Sequence, residues 1–256
     1  MTAPVFELRG ATVALGPHVV LQDVDFRLDE GEFVALLGDN GSGKTTLVRA
    51  LVGLVPLVAG ALEIFSIPSP RFRERHRIGY VPQRAAASTG VPATAFEVVL
   101  SGRAAALGSL RRYRRGDCEL AGKALETVGL AHRRNDPVAS LSSGQQQRVL
   151  IARALAAEPD VLILDEPSSA LDAESQDALA ATLGRLKEQG HSLVLVAHGL
   201  GPIEPLVTRV VVLAAGMVAH DGPPLIDRAG RTHLHVLDAG GTPAFHGHHH
   251  PPAEAQ

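Results

Sequence analysis

Residues 38–45 read Gly38, Asp39, Asn40, Gly41, Ser42, Gly43, Lys44, Thr45, a spacing that suits a chain of phosphates. Glycines there let successive backbone N–H groups turn inward around an anion, Lys44 reaches the outer phosphates, and the Thr45 hydroxyl ligates Mg²⁺. Further along, Val161, Leu162, Ile163 and Leu164 lead into Asp165 and Glu166. Taken alone, four aliphatics ending in two carboxylates are a core strand meeting solvent. Beside a phosphate loop they acquire a chemical reading: Asp165 is delivered towards Mg²⁺, and Glu166 stands one residue further on, where it can polarise an attacking water. Adjacent carboxylates in different surroundings can hold different roles. His198 follows a further apolar run, residues 193–197. It is read as a γ-phosphate sensor at the carboxyl end of a parallel strand, where open α/β sheets bind ligands.

These groups need a scaffold. Residues 32–37 predict a short buried strand, and Leu47, Val48, Leu51 and Val55 recur at helical spacing after Thr46. The glycine loop therefore opens a helix whose positive dipole end faces the phosphates. Upstream, Val24, Phe26 and Leu28 alternate before a turn at Asp29, Glu30 and Gly31, as in a half-buried strand. Residues 84–158 are expected to be mainly helical. Within them Asp117 is read as an N-cap, with Leu120, Ala124, Leu125 and Val128 on one face and Gly129 as the stop. Ser142 suits another N-cap, ahead of an apolar stripe of Leu150, Ile151, Ala154 and Leu155. Residues 159–225 return to strands and helices, with Asp172 capping a helix that turns Leu179, Leu183 and Leu186 inward and stops at Gly190.

Composition narrows the partners. At 256 residues the chain can bury a sizeable α/β core. A net charge of −3 gives no general attraction to nucleic acid or acidic lipid. The single Cys118 excludes an intramolecular disulfide and suits a reducing compartment. No apolar run approaches the roughly twenty residues needed to span a bilayer, so any membrane passage is expected to belong to another polypeptide.

Taken in order, the motifs resemble the ATP-binding-cassette (ABC) family over roughly residues 5–225. They are GDNGSGKTT at 38–46, YVPQR at 80–84, LSSGQQQR at 141–148, VLILDEP at 161–167, SALD at 169–172 and VAHG at 196–199. The resemblance implies a P-loop NTPase core of α/β class with an antiparallel β subdomain and an inserted helical subdomain. That makes residues 1–230 the ATPase domain, with the helical part at about 84–158. It implies ATP held by residues 38–46 together with Asp165 and, at the base, Leu15. Mg²⁺ would be met by Thr45, Gln83 and Asp165, and catalysis carried by Lys44, Gln83, Glu166 and His198. Ser142, Ser143, Gly144 and Gln145 would close over the ATP of a second subunit in a head-to-tail homodimer. Two departures stand out. Ser143 replaces the first glycine of the family's usual LSGGQ, leaving turnover in question, and Leu15 stands where an aromatic residue usually stacks on adenine. Leu15 either makes an apolar contact with the base or is ordinary strand core.

The stretch from Val91 through Gly102 to Arg112 resembles the zinc and manganese importer ATPases. It implies integral-membrane permease subunits, an extracellular or periplasmic metal-binding protein, and a peripheral place on the cytoplasmic face of the membrane. Zinc is the first expectation for the cargo, with a manganese or iron importer, or a non-transport ABC ATPase, as alternatives. The arginine clusters at residues 71–77 and 111–115 read as a solvated face or a docking surface. Half of the 12 histidines fall late: His233, His235, His246, His248, His249 and His250. Among Gly, Pro and Ala, residues 231–256 are expected to be disordered. His246, His248, His249 and His250 can bind Zn²⁺; an inert low-complexity segment or an added sequence are the other readings.

Overall fold

The computed structural model describes residues 4–83, 93–107, 112–168 and 171–224. The chain opens with β1 (Pro4–Leu15) and β2 (His18–Asp29). Val24, Phe26 and Leu28 are the buried side of β2, as a pleated strand with one covered face requires. β3 (Phe33–Gly38) runs through the glycine loop into α1 (Lys44–Leu51). β4 (Ala59–Ile64) and β5 (Ile67–Pro68) complete an antiparallel sheet of order β2-β1-β4-β5. After β6 (Ile78–Val81) come α2 (Ala95–Ser101), α3 (Ala104–Leu107), α4 (Arg115–Thr127) and α5 (Ser143–Leu155). β7 (Val161–Asp165), α6 (Ala173–Glu188), β8 (Ser192–Val196), β9 (Arg209–Ala214) and β10 (Met217–Gly222) close the fold.

The second sheet has the order β10-β9-β3-β8-β7-β6, parallel throughout except for β10 at one edge. β7 and β8 are buried at every position, which is why they read as unbroken aliphatic runs rather than alternating ones. One face of the sheet packs Leu37, Leu162, Leu164 and Leu195 against the helices α2, α4, α5 and α6. The other packs Leu36, Ile163 and Val196 against α1 and the antiparallel sheet. Both layers press on the sheet that delivers the chemistry. Among the described residues no helix is long and apolar enough to cross a membrane.

Local expectations hold in part. Ser142 and Asp172 cap their helices, the latter accepting from the Ser175 N–H at 2.8 Å. Asp117 does not cap: α4 begins at Arg115, and the Asp117 carboxylate reaches back to the Arg114 N–H at 2.8 Å. The same carboxylate pairs with Arg103 at 2.9 Å, and Arg103 also donates to the Ala156 carbonyl. A buried guanidinium needs a carboxylate beside it, and that pairing puts Asp117 inside the first turn. Val55 lies beyond α1, which ends at Leu51. In α5 the fully buried stripe is Val149, Leu150, Ile151 and Ala152, while Ala154 and Leu155 are half-buried.

Candidate nucleotide site

β3, β8, β7 and β6 are successive neighbours and mutually parallel, so their carboxyl ends share one edge of the sheet. From those ends issue the glycine loop, His198, the Asp165–Glu166 pair and Gln83. Residues separated by more than a hundred positions thus converge because parallel strands all end on the same side.

The loop is shaped by glycines with no substitute. Gly38 has φ +144°, and a Cβ there would lie 2.2 Å from the Leu213 carbonyl oxygen. Gly43 (φ +105°) starts α1, and a Cβ there would meet Leu21 Cδ2 at 2.6 Å. Asp39, Asn40 and Gly41 form an exposed crest above buried Ser42, Gly43 and Lys44. Lys44 Nζ donates to the Gly38 and Asp39 carbonyls at 2.7 and 2.8 Å. Burial holds its pKa below the ordinary lysine value, opposed by Glu166, Asp39 and Asp165. Ser42 Oγ is buried with no hydrogen-bond partner among the described residues, and no side chain caps α1. Orphan donors, a lysine in the loop and a bare helix start are the donor set that a polyphosphate satisfies.

Behind the loop, Asp165 is 1% exposed. Thr45 Oγ1 donates to its Oδ1 at 3.3 Å, and the Tyr80 hydroxyl donates to Oδ2 at 3.4 Å. Burial raises the carboxyl above its usual pKa, while the Thr45 and Tyr80 hydrogen bonds pull it down. Burial likewise pushes the Tyr80 phenol up, so it stays a donor. A hydroxyl and a carboxylate side by side at the mouth of the phosphate loop are hard oxygen donors of the kind Mg²⁺ takes. Tyr80 received no role from sequence. Its signal lay in register: β6 pairs Tyr80 with Ile163, two residues before Asp165, so both side chains stand on one face of the sheet.

Glu166 adopts φ +50°, a left-handed conformation costly for a residue with a Cβ. Its N–H donates to the Val196 carbonyl at 2.9 Å, so β8 holds the bend in place. The bend brings Oε1 to 2.9 Å from His198 Nε2, and Gln83 Nε2 donates to Oε2. Gln83, Glu166 and His198 therefore form one hydrogen-bonded cluster beside Lys44 and Asp165.

Two groups of predicted residues lie apart from this cluster. Ser142 and Gln145 satisfy each other at the start of α5: Ser142 Oγ accepts from the Gln145 N–H at 3.3 Å, and the Gln145 side chain accepts from the Ser142 N–H at 3.0 Å. Ser142 and Ser143 are exposed, and no hydrogen bond among the described residues joins residues 142–145 to the glycine loop. Leu15 is 46% exposed at the end of β1, which removes the reading of ordinary strand core. His246, His248, His249 and His250 lie outside the described residues, and among those described no trio of His, Cys, Asp or Glu is arranged to hold a metal.

The ABC transporter family matches residues 21–169. The chain belongs to that family. The zinc transport system ATP-binding protein TroB of Treponema pallidum is 38% identical over 218 residues, covering 85% of this chain and 81% of that protein. The manganese transport system ATP-binding protein MntB of Bacillus subtilis is 37% identical over 213 residues, covering 83% and 84%. Among solved structures, a putative metal-chelate type ABC transporter in an inward-facing conformation aligns with TM-score 0.75 at 28% identity, over 86% of this chain and 83% of that one. A dimeric bacterial ABC transporter cassette aligns with TM-score 0.71 at 28% identity, over 85% and 98%. The chain is thus an ATP-hydrolysing ABC transporter subunit built on the P-loop NTPase fold.

Proposed function

We propose that this ATPase powers import of a divalent metal, zinc, through a partner membrane permease. The observation that carries the reading is the likeness to TroB across 85% of the chain, and the late histidines point the same way. In the proposed cycle Lys44 and the loop N–H groups hold the ATP phosphates. Thr45, Asp165 and Gln83 would hold Mg²⁺, which when bound would neutralise phosphate charge. Glu166 accepts the proton of the attacking water, oriented by His198 and Gln83. Ser142, Ser143, Gly144 and Gln145 close over ATP bound by a second copy, in keeping with the lack of any hydrogen bond between them and the loop among the described residues. Closure of such a homodimer would rock the permease, fed from outside by a metal-binding protein. The ATPase would sit peripherally on the cytoplasmic face of the membrane. A groove of about 500 Å³ beside β6, lined by Val81, Pro82, Ser101 and Leu150, lies next to Gln83 and would seat a permease segment.

A manganese cargo is the second reading, favoured by the 37% identity to MntB. Reconstitution of the subunit with its permease and binding protein in proteoliposomes decides between them. ATP-dependent uptake of Zn²⁺ well above Mn²⁺ is expected, and the reverse order overturns the zinc assignment. The histidines at 246–250 are proposed as a Zn²⁺ site of micromolar affinity, since ordering a flexible segment subtracts from binding. Neutral imidazoles are the ligands, so Zn²⁺ binding is expected near about pH 7.5 and should fade below about pH 6. Calorimetry should show Zn²⁺ binding by the full-length protein and its loss in protein cut after Gly230, which should keep basal ATP hydrolysis. Equal Zn²⁺ binding by both removes this part of the reading.

A further inference from the structure

Asp165 has both carboxylate oxygens engaged, but by unlike partners. Oδ1 faces Thr45 at the mouth of the phosphate loop, whereas Oδ2 is met from behind by Tyr80. Tyr80 comes from β6, the edge strand, and reaches Asp165 because the parallel register sets it opposite Ile163. Burial raises the phenol's pKa, and the nearby Arg49 guanidinium opposes that rise. Arg49 is four residues after Thr45 on α1, so both project from one side of the helix. Asp165 is thus met from two sides, by Thr45 of α1 on Oδ1 and by Tyr80 of β6 on Oδ2. A carboxylate held by one oxygen can swing about its Cβ–Cγ bond. Held by both, it is fixed in the plane that presents Oδ1 to Thr45.

We propose that Tyr80 is a positioning residue for Mg²⁺: its phenol holds Asp165 Oδ2 and so keeps Oδ1 where the metal would be met beside Thr45. The phenol touches neither nucleotide nor metal and acts through Asp165. The inference rests on placing Asp165 at Mg²⁺, and it is independent of which cargo the transporter carries. Tyr80 therefore matters to the metal requirement of nucleotide binding and little to nucleotide binding without metal.

The test is calorimetric titration of a non-hydrolysable ATP analogue into the full chain at a series of Mg²⁺ concentrations and in EDTA. For Tyr80→Phe the Mg²⁺ concentration giving half-maximal tightening should rise about fivefold, the weight of one ordinary hydrogen bond. Affinity in EDTA should stay within about twofold, and Mn²⁺ bound with the analogue should show a changed EPR spectrum. An unchanged Mg²⁺ requirement in Tyr80→Phe, or equal losses with and without Mg²⁺, overturns the proposal. Asp165→Asn in parallel separates the two layers. A normal Mg²⁺ requirement there overturns the placing of Asp165 at the metal, and a raised one there with a normal one in Tyr80→Phe overturns only the role of Tyr80.

Discussion

Replacing Glu166 by Gln separates a chemical role from a structural one because the two predict different magnitudes. The side chain keeps its size, and the strained backbone is held by the Glu166 N–H on the Val196 carbonyl, which the substitution does not touch. What changes is the carboxylate. In the native cluster Oε1 faces His198 and Oε2 accepts from Gln83. An amide has a single acceptor oxygen, so its NH₂ must face either Gln83 Nε2 or the imidazole. The Gln83 contact is lost in one orientation, and the other needs His198 to accept. If Glu166 only organised its neighbours, the loss would be one hydrogen bond, about 1 kcal/mol, or roughly fivefold in rate. If it accepts the proton of the attacking water, removing a general base costs about 10²–10⁴-fold. Steady-state phosphate release at saturating Mg²⁺ and ATP is the assay, with gel filtration in ATP to follow a dimer that binds and cannot turn over. A Glu166→Gln rate within about tenfold of wild type refutes the general-base reasoning. A normal rate of hydrolysis with no dimer accumulating would refute the coupling of this carboxylate to closure as well.

Two further outcomes follow from local geometry. Leu15→Tyr, at an exposed strand end, should tighten ATP binding by about 1 kcal/mol through stacking, and the unmodified protein should show little preference for ATP over GTP by titration; a strong native preference would mean that other residues hold the base. Gly144→Ala places a Cβ 2.3 Å from Ser175 Oγ, forcing α5 and α6 apart at the start of α5. Overpacking of this kind costs about 1–3 kcal/mol, seen as a Tm lowered by several degrees; an unchanged melting curve would show that Ser175 yields freely.

Much of the site was legible because phosphate chemistry leaves local marks. The glycines at 38, 41 and 43, Lys44 and Thr45 are contiguous, and their chemistry needs them contiguous. The runs before Asp165 and His198 are unbroken aliphatics because β7 and β8 are covered on both faces, so strand and carboxyl end could both be read from composition. Asp172 and Ser142 declared themselves as caps because a cap is an interaction over three residues. Other features depend on partners far along the chain. Asp117 satisfies the local rule for an N-cap, yet the buried guanidinium of Arg103 draws it into the first turn of α4. Leu15 satisfies the pattern for core, and only its place as the last residue of β1, paired with His18 at the turn into β2, leaves it exposed. The αL bend at Glu166, which turns one carboxylate to His198 and Gln83 while its neighbour turns to Thr45 and Tyr80, depends on the Val196 carbonyl of an adjacent strand. Local propensity and periodicity report on neighbours a few residues away, whereas the choice between two geometries at one position is made by groups that only the folded sheet brings near.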